Sequence, residues 1–466
     1  MPALREPLLA LTLLSAFLAG CLEGEKKDVV DDVKDIIKKG LPPDFVDPLL
    51  LNHDHTDVKL HNLAYNMEEL SHHPLGGSNL KSSGAHAVDV QNGWLFVATY
   101  GAQVDVDGGV WIFNLSNPAK PALTGRVQWP GPMGGDRSME ATDDGNWIVL
   151  GTEPADCAGH VNPFAPGIML VDARDKARPQ VVDYLPGSTH SLTIHRVKDD
   201  DYVFATYGLG GTNQFNVFKI DKTASPKPKL TGVGNVQIRH DSAAFDDPLL
   251  GIPILYSANV ADLVAYDISN PAAPKKLGTW ALTRDEAANH YVHAVSMQLV
   301  EGARILALES EDWRNNPSPV WILDATDFND IQRIGNWTNP GKKAANAGQG
   351  RSTPTSGFDG QLTFSTHNPR LEDGIVYFAH YHGGIWALNV SNLAFAADPQ
   401  IEGYYLPHDN NGGFVPRSSE GTYPKPNLRC GFELTQIPIV FDVEVQDGYV
   451  YAADLHTGLY TVKLKS

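Results

Sequence analysis

Cysteine is nearly missing from this chain: three in 466 residues, at Cys21, Cys157 and Cys430. Neither CxxC nor CxxCH occurs, which excludes a thioredoxin-type redox pair and a covalently attached haem. Basic charge is also short. Thirty-six Lys and Arg stand against 55 Asp and Glu, a net charge of −19. The acidic excess is spread along the chain, so a phosphate backbone is repelled and nucleic acid is excluded as a partner. The G-x-S-x-G elbow of serine hydrolases is absent. Gly208, Gly210 and Gly211 in YGLGGTN do not carry a strand into a helix, which rules out a nucleotide fingerprint. Asp105-Val106-Asp107-Gly108-Gly109 opens like a calcium loop but lacks the later glutamate, and reads as a plain turn.

Long apolar runs are lacking too. After Arg5 the stretch Leu8 to Ala19, LLALTLLSAFLA, is too short to span a bilayer and right for the core of a signal peptide. It ends in Leu18-Ala19-Gly20-Cys21, which resembles the bacterial lipobox, where small residues precede a cysteine that is lipidated. The expectation is a lipoprotein signal peptide over 1–20, lipidation at Cys21, and an exported, outward-facing protein held to the cell envelope by a lipid anchor in the membrane. Outside the reducing cytosol Cys157 and Cys430 are free to oxidise, so a disulfide between them and two unrelated thiols both stay open. Residues 21–51 read as a charged tether. Within it Val29, Val30, Val33, Ile36 and Ile37 fall at helical spacing, Gly40 sits where a C-cap would, and Pro42-Pro43 forbid continuation.

The remainder, 52–466, is organised by repetition. Phrases such as VWIFNLSNPAKPALTG from Val110, LVAYDISNPAAPKKLG from Leu263 and IWALNVSN from Ile385 return at about 50 residues, the mark of a repeat architecture. Each unit opens on an alternating strand, turns at an Asn-Gly or acidic-Gly hairpin and returns through an apolar strand, as in HAVDVQNGWLFVATY from His86 and FDVEVQDGYVYAAD from Phe441. A third strand (WIFNLS, IMLVDA, WILDAT) leads through a Pro-rich turn to an outer strand. Seven units cover residues 86–466, so the fold class is all-β, a seven-bladed β-propeller. The last unit stops at its third strand, LYTVKLKS. Its missing partner is expected from the segment Val58 to Tyr65, which would close the ring by pairing the two ends of the propeller.

The third-strand phrases IMLVD (Ile168 to Asp172) and WILD (Trp321 to Asp324) resemble the LVIVD-repeat family of seven-bladed propellers. Asn114 and Asn389 depart from its usual Asp, and Lys463 takes that place in the last unit. The resemblance implies an exported or surface-located propeller and names no reaction.

Chemistry concentrates in histidine. Aligned on their hairpins, five of the seven innermost strands open on His86, His190, His240, His293 and His367, with Met139 and Phe441 in the other two. Loops on the same face hold His380-Tyr381-His382 before Gly383-Gly384, Asp454-Leu455-His456, and Glu153, Glu309 and Glu311. Converging imidazoles suit copper, iron or zinc, so His86, His190, His240, His293, His367, His380, His382 and His456 are the candidate metal ligands. A residue repeated in nearly every unit also serves blade packing, and that reading stands beside the metal one. His-rich propellers among the selenium-binding proteins include copper-dependent thiol oxidases, a similarity of architecture only. The longest irregular stretches, Asn336 to Gln361 and Leu406 to Arg429, fall on the same face. The leading reading is a surface or envelope binding module taking its ligand at the His-rich loop face of the central channel. A copper- or iron-dependent oxidoreductase and a structural envelope assembly protein are the alternatives. The sequence does not decide whether the chain is an enzyme, and it names neither ligand nor partner protein.

Overall fold

The computed structural model describes residues 64–76, 83–99, 108–129, 138–152, 166–206, 215–311, 318–339, 365–381, 383–407 and 438–465. The signal peptide, Cys21, the tether helix, Cys157, Cys430, His382 and the central parts of both long insertions lie outside the described residues.

Seven antiparallel sheets follow one another along the chain, and within each the strands pair in sequence order except for the two N-terminal strands, which add to the last two sheets. Blade 1 is Ala85–Gln91, Trp94–Thr99, Gly108–Asn114 and Ala122–Trp129; blade 2 is Met139–Ala141, Trp147–Gly151, Gly167–Asp172 and Gln180–Pro186. Blade 3 is Leu192–Val197, Asp200–Ala205, Val217–Asp221 and Lys229–Gly234; blade 4 is Asp241–Asp247, Ile252–Ala258, Asp262–Asp267 and Lys275–Ala281. Blade 5 comprises Val292–Val300, Ala303–Ser310, Val320–Asp324 and Gln332–Trp337; blade 6 comprises His367–Glu372, Ile375–Ala379, Ile385–Asn389 and Gln400–Tyr405. Blade 7 has Val440–Gln446, Tyr449–Asp454 and Gly458–Leu464, completed by Met67–His73 on its outer edge. The first strand of each blade packs on the first strand of the next, and blade 7 packs on blade 1, so these strands make a closed ring around the axis. Among the described residues the helices are two short turns, Arg284–Ala287 and Leu393–Ala397.

The hairpins form as the sequence dictates. Asn92-Gly93, Glu301-Gly302, Asp373-Gly374 and Asp447-Gly448 all have positive φ at both positions, the tight turn that matches the twist of the flanking strands. The third-strand Asp has an equally local cause. In six blades its carboxylate or amide oxygen accepts the backbone N–H two residues on: Asn114 from Ser116, Asp172 from Arg174, Asp221 from Thr223, Asp267 from Ser269, Asp324 from Thr326 and Asn389 from Ser391, at 2.7–3.1 Å. Only an Oδ1 acceptor is needed, so Asn serves as well as Asp. Lys463 breaks the pattern because blade 7 makes no such turn; its outer strand comes from far upstream. The glycine that ends the repeat phrase is required by packing. A Cβ on Gly278 would lie 2.1 Å from the carbonyl oxygen of Phe328 in the next blade.

The closing strand is not the expected 58–65. Ala64–Tyr65 adds to the outer strand of blade 6, opposite Tyr405 and Tyr404. Asn66, at φ 49°, then turns the chain across to blade 7, its amide donating to the carbonyl of Glu402 at 2.9 Å. Met67 enters the core between blades 6 and 7 beside Tyr405 and Tyr460. The closing strand was obscured because MEELSHH alternates poorly and VKLHNLAY alternates well.

Side chains of the innermost strands stitch six of the seven junctions between neighbouring blades. Asp442 accepts from Val88 N–H (2.9 Å), Asp89 from Ala141 N–H (2.7 Å) and Glu140 from Ile194 N–H (2.6 Å). The Thr193 hydroxyl donates to Ser242 O (2.6 Å), Ser296 accepts from Leu371 N–H (3.0 Å), and Arg370 Nε donates to Glu444 (2.6 Å). These contacts form a polar belt inside the ring, below the histidines.

Candidate functional site

The strand ring brings together residues far apart in sequence. His190, His240, His293 and His367 form one row, with ring centroids separated by 4.7, 4.5 and 4.2 Å in turn, and Phe441 follows His367 at 4.3 Å. Tyr291 flanks the row, 4.8 Å from His240, and Tyr381 lies 5.1 Å from His367. Three of the four are buried, His240 at 8% exposed and His293 and His367 fully covered, while His190 is half-buried. Its members differ in their partners. His190 Nε2 and His240 Nε2 are 3.1 Å apart, and His367 Nδ1 lies 2.5 Å from Phe441 O.

His86 stands apart from the row and does the work of packing. Its Nε2 lies 2.9 Å from Ser138 Oγ in the next blade and its Nδ1 3.3 Å from Gly84 O. Repetition at this position therefore yields two kinds of histidine, one bridging blades and four in edge-on and tilted contact along one arc of the axis.

In the sequence Glu311 is one of several loop carboxylates and Tyr381 the middle of a His-Tyr-His phrase, with nothing there to mark either as a neighbour of the row. Glu311 directly follows the second strand of blade 5. Its Oε2 is 3.6 Å from His293 Nε2, and its Oε1 accepts from the Tyr381 hydroxyl at 2.5 Å. Among the described residues, His240, His293 and Glu311 form a group whose ligand atoms all lie within 4.8 Å of one another. Tyr381 comes from the His-Tyr-His loop of blade 6, at φ 44°, and its backbone pairs with Val440, whose N–H donates to Tyr381 O at 3.1 Å. The usable signal was the departure of that loop from repeat symmetry; the residue it delivers to the row is the tyrosine.

His380 is placed elsewhere, fully buried and about equidistant from three rings, with Trp337, Phe378 and Trp386 each at 6.1 Å. Gly383 lets the loop fold over it, since a Cβ there would sit 2.4 Å from His380 Nδ1. His456 is buried in the corresponding loop of blade 7, where Asp454 Oδ1 accepts from the N–H groups of His456 and Thr457 and from the Thr457 hydroxyl. Burial pushes the Asp454 carboxyl up to about 6, against the pull of those hydrogen bonds. Glu309 is buried within its strand, opposite Val320. Asn368, beside His367, is fully buried at φ 45°, and among the described residues neither its amide oxygen nor its nitrogen has a hydrogen-bond partner. Buried polar groups are nearly always paired, so such an amide calls for an explanation.

Below the row the polar belt carries charge. Arg370 bonds Glu444, and although burial works to lower the guanidinium's proton affinity, Glu444 and Asp442 more than offset it. Burial, followed by the charge of Glu444, pushes Asp89 up to about 7. The described interior thus has an imidazole and aromatic end and a carboxylate-rich middle.

The LVIVD repeat matches residues 84–128 and 255–281. These windows coincide with blade 1 and with the three outer strands of blade 4. No curated protein is significantly similar to the chain in sequence. Among solved structures, BamB from Moraxella catarrhalis is similar at TM-score 0.46 and 11% identity, covering 86% of this chain and 98% of that one. The periplasmic gluconolactonase of Pseudomonas aeruginosa gives 0.45 and 12%, covering 70% and 89%, and a hypothetical selenium-binding protein from Sulfolobus tokodaii gives 0.48 and 10%, covering 80% and 84%. Strand order within the chain itself carries the architecture. Together with the repeat match it establishes that this protein is a seven-bladed β-propeller with LVIVD repeats in blades 1 and 4.

Proposed function

We propose that this protein is an exported, lipid-anchored binding module that takes its ligand at the histidine-lined end of the propeller axis. The observation that carries the reading is the one-sided row of four imidazoles in edge-on and tilted contact, with Tyr291, Tyr381 and Glu311 around it. Packing alone accounts for His86, which bridges two blades. It does not account for four consecutive blades turning imidazole onto imidazole, where an apolar side chain such as Met139 or Phe441 fills the equivalent place in other blades. Convergent polar groups in an aromatic setting are the usual make-up of a small-ligand site. Export and anchoring are supported by the run Leu8 to Ala19 and the lipobox ending at Cys21.

Two measurements test this. A thermal-shift screen of small ligands compares the wild type with His293→Ala; a ligand that stabilises the first and not the second is expected. A screen in which every hit shifts both proteins equally removes the site. For the anchor, Cys21→Ser should abolish incorporation of labelled fatty acid and move the protein from the membrane to the soluble fraction. Unchanged membrane association of that variant overturns the lipid reading.

A further inference from the structure

We propose that His240, His293 and Glu311 bind a divalent first-row transition-metal ion, with Tyr381 and His190 orienting the ligands. The inference rests on the binding reading above and names what the histidine-lined end holds.

Donor chemistry comes first. Two imidazoles and one carboxylate form a set that binds zinc or iron while leaving coordination positions open. Spacing comes next. Tetrahedral ligands at about 2.0–2.1 Å from zinc lie about 3.4 Å from one another, and His293 Nε2 and Glu311 Oε2 are already 3.6 Å apart. All three ligand atoms fall within 4.8 Å, so side-chain rotations of about an ångström bring them onto one ion.

The surroundings match those of a metal centre. Ligating side chains are commonly held by hydrogen bonds from a second layer that fixes their orientation. The Tyr381 hydroxyl binds Glu311 Oε1 at 2.5 Å, which directs Oε2 towards His293, and His190 Nε2 meets His240 Nε2 at 3.1 Å. A carboxylate as covered as Glu311, 9% exposed, is stabilised by a cation beside it. The three ligands come from blades 4 and 5 and the orienting tyrosine from blade 6. The site therefore exists only when consecutive blades are docked. Three protein ligands leave room for an exogenous group, which puts an open metal position at the end of the axis where ligand binding is proposed.

The test uses the untagged mature protein, stripped with a chelator and dialysed. Zinc is titrated by calorimetry, and cobalt(II) is added separately for its visible absorption, which reports ligand number and geometry. Expected are one high-affinity equivalent and a cobalt spectrum of four or five ligands including nitrogen. Glu311→Gln and His293→Ala should each weaken binding at least 100-fold, and Tyr381→Phe, which removes only the orienting hydroxyl, about 10-fold. His86→Ala should leave the affinity unchanged. Glu311→Gln is nearly isosteric and, with circular dichroism confirming its fold, guards against a trivial loss through unfolding. Absence of a stoichiometric site, or one that survives both Glu311→Gln and His293→Ala, overturns the proposal. If zinc fails to bind while small-ligand stabilisation still depends on His293, the metal inference falls and the binding reading stands.

Discussion

Replacing Asp89 by Asn should change how stability depends on pH. Asp89 lies in the polar belt, 5% exposed, with Oδ2 accepting from Ala141 N–H at 2.7 Å and Oδ1 from the Gln91 amide at 3.2 Å. Burial and the neighbouring Glu444 charge raise its carboxyl from 3.8 to about 7 in the fold. The folded state therefore holds the proton more tightly than the unfolded state. The stability this contributes is fully present below about pH 4 and is lost as pH rises towards 7. A gap of about three pH decades at ~1.4 kcal/mol each sets a ceiling of roughly 4 kcal/mol. Relaxation around a buried charge reduces this, so a smaller loss, on the order of 2 kcal/mol, is expected. Asn cannot titrate, yet it keeps an oxygen acceptor for one of the two N–H donors. Urea unfolding of both proteins between pH 4 and pH 8.5 isolates the effect, because other groups cancel in the difference. Asp89→Asn should gain on the wild type steadily as pH rises and then level off above pH 8. A difference that is flat, or that runs the other way, would refute the reasoning. It would mean that Ala141 N–H and Arg370 hold Asp89 as a stabilised carboxylate.

Arg304 and Asp247 form a buried pair, Nε to Oδ2 at 2.5 Å and Nη2 to Oδ1 at 2.8 Å, with Arg304 also stacked 4.3 Å over Phe328. Arg304→Met should cost about 3–5 kcal/mol in urea unfolding by leaving the buried Asp247 without its counter-ion, and Arg304→Met with Asp247→Leu should cost less than the single change. Asp324→Ala should lose about 1 kcal/mol with the turn to Thr326, and Asp324→Asn close to none; equal losses would show that the acceptor oxygen is not what the repeat preserves. Asn368→Gly suits the positive φ and removes an unpaired amide, so thermal melting should show equal or higher stability, while any ligand that uses the amide should bind more weakly.

Much of this architecture is legible because its causes are local. A two-residue hairpin needs Asn-Gly or Asp-Gly where both φ values are positive, and the third-strand Asp or Asn needs only its neighbour two residues on. Both constraints act within a few residues, so they recur in the sequence as a phrase. The site was half legible for the opposite reason. All five ring histidines could be named, but nothing in their spacing separates His86, bonded to Ser138, from His293, aimed at Glu311. His380 and Tyr381 are adjacent in one loop, yet one packs against Trp337, Phe378 and Trp386 and the other reaches the row. The positive φ of Tyr381 and the missing Cβ of Gly383 set those directions.

The sequence by itself determined the all-β class, the seven units, the hairpins and the histidine positions, since each depends on periodicity or on contacts within a turn. Only the tertiary structure decided that Met67–His73 closes blade 7, and only it joined His240, His293, Glu311 and Tyr381, which span some 140 residues and three blades. Those choices depend on which backbone edge and which packed neighbour a segment meets once the ring has closed. That information is carried by the docking of whole blades and by no single stretch of chain.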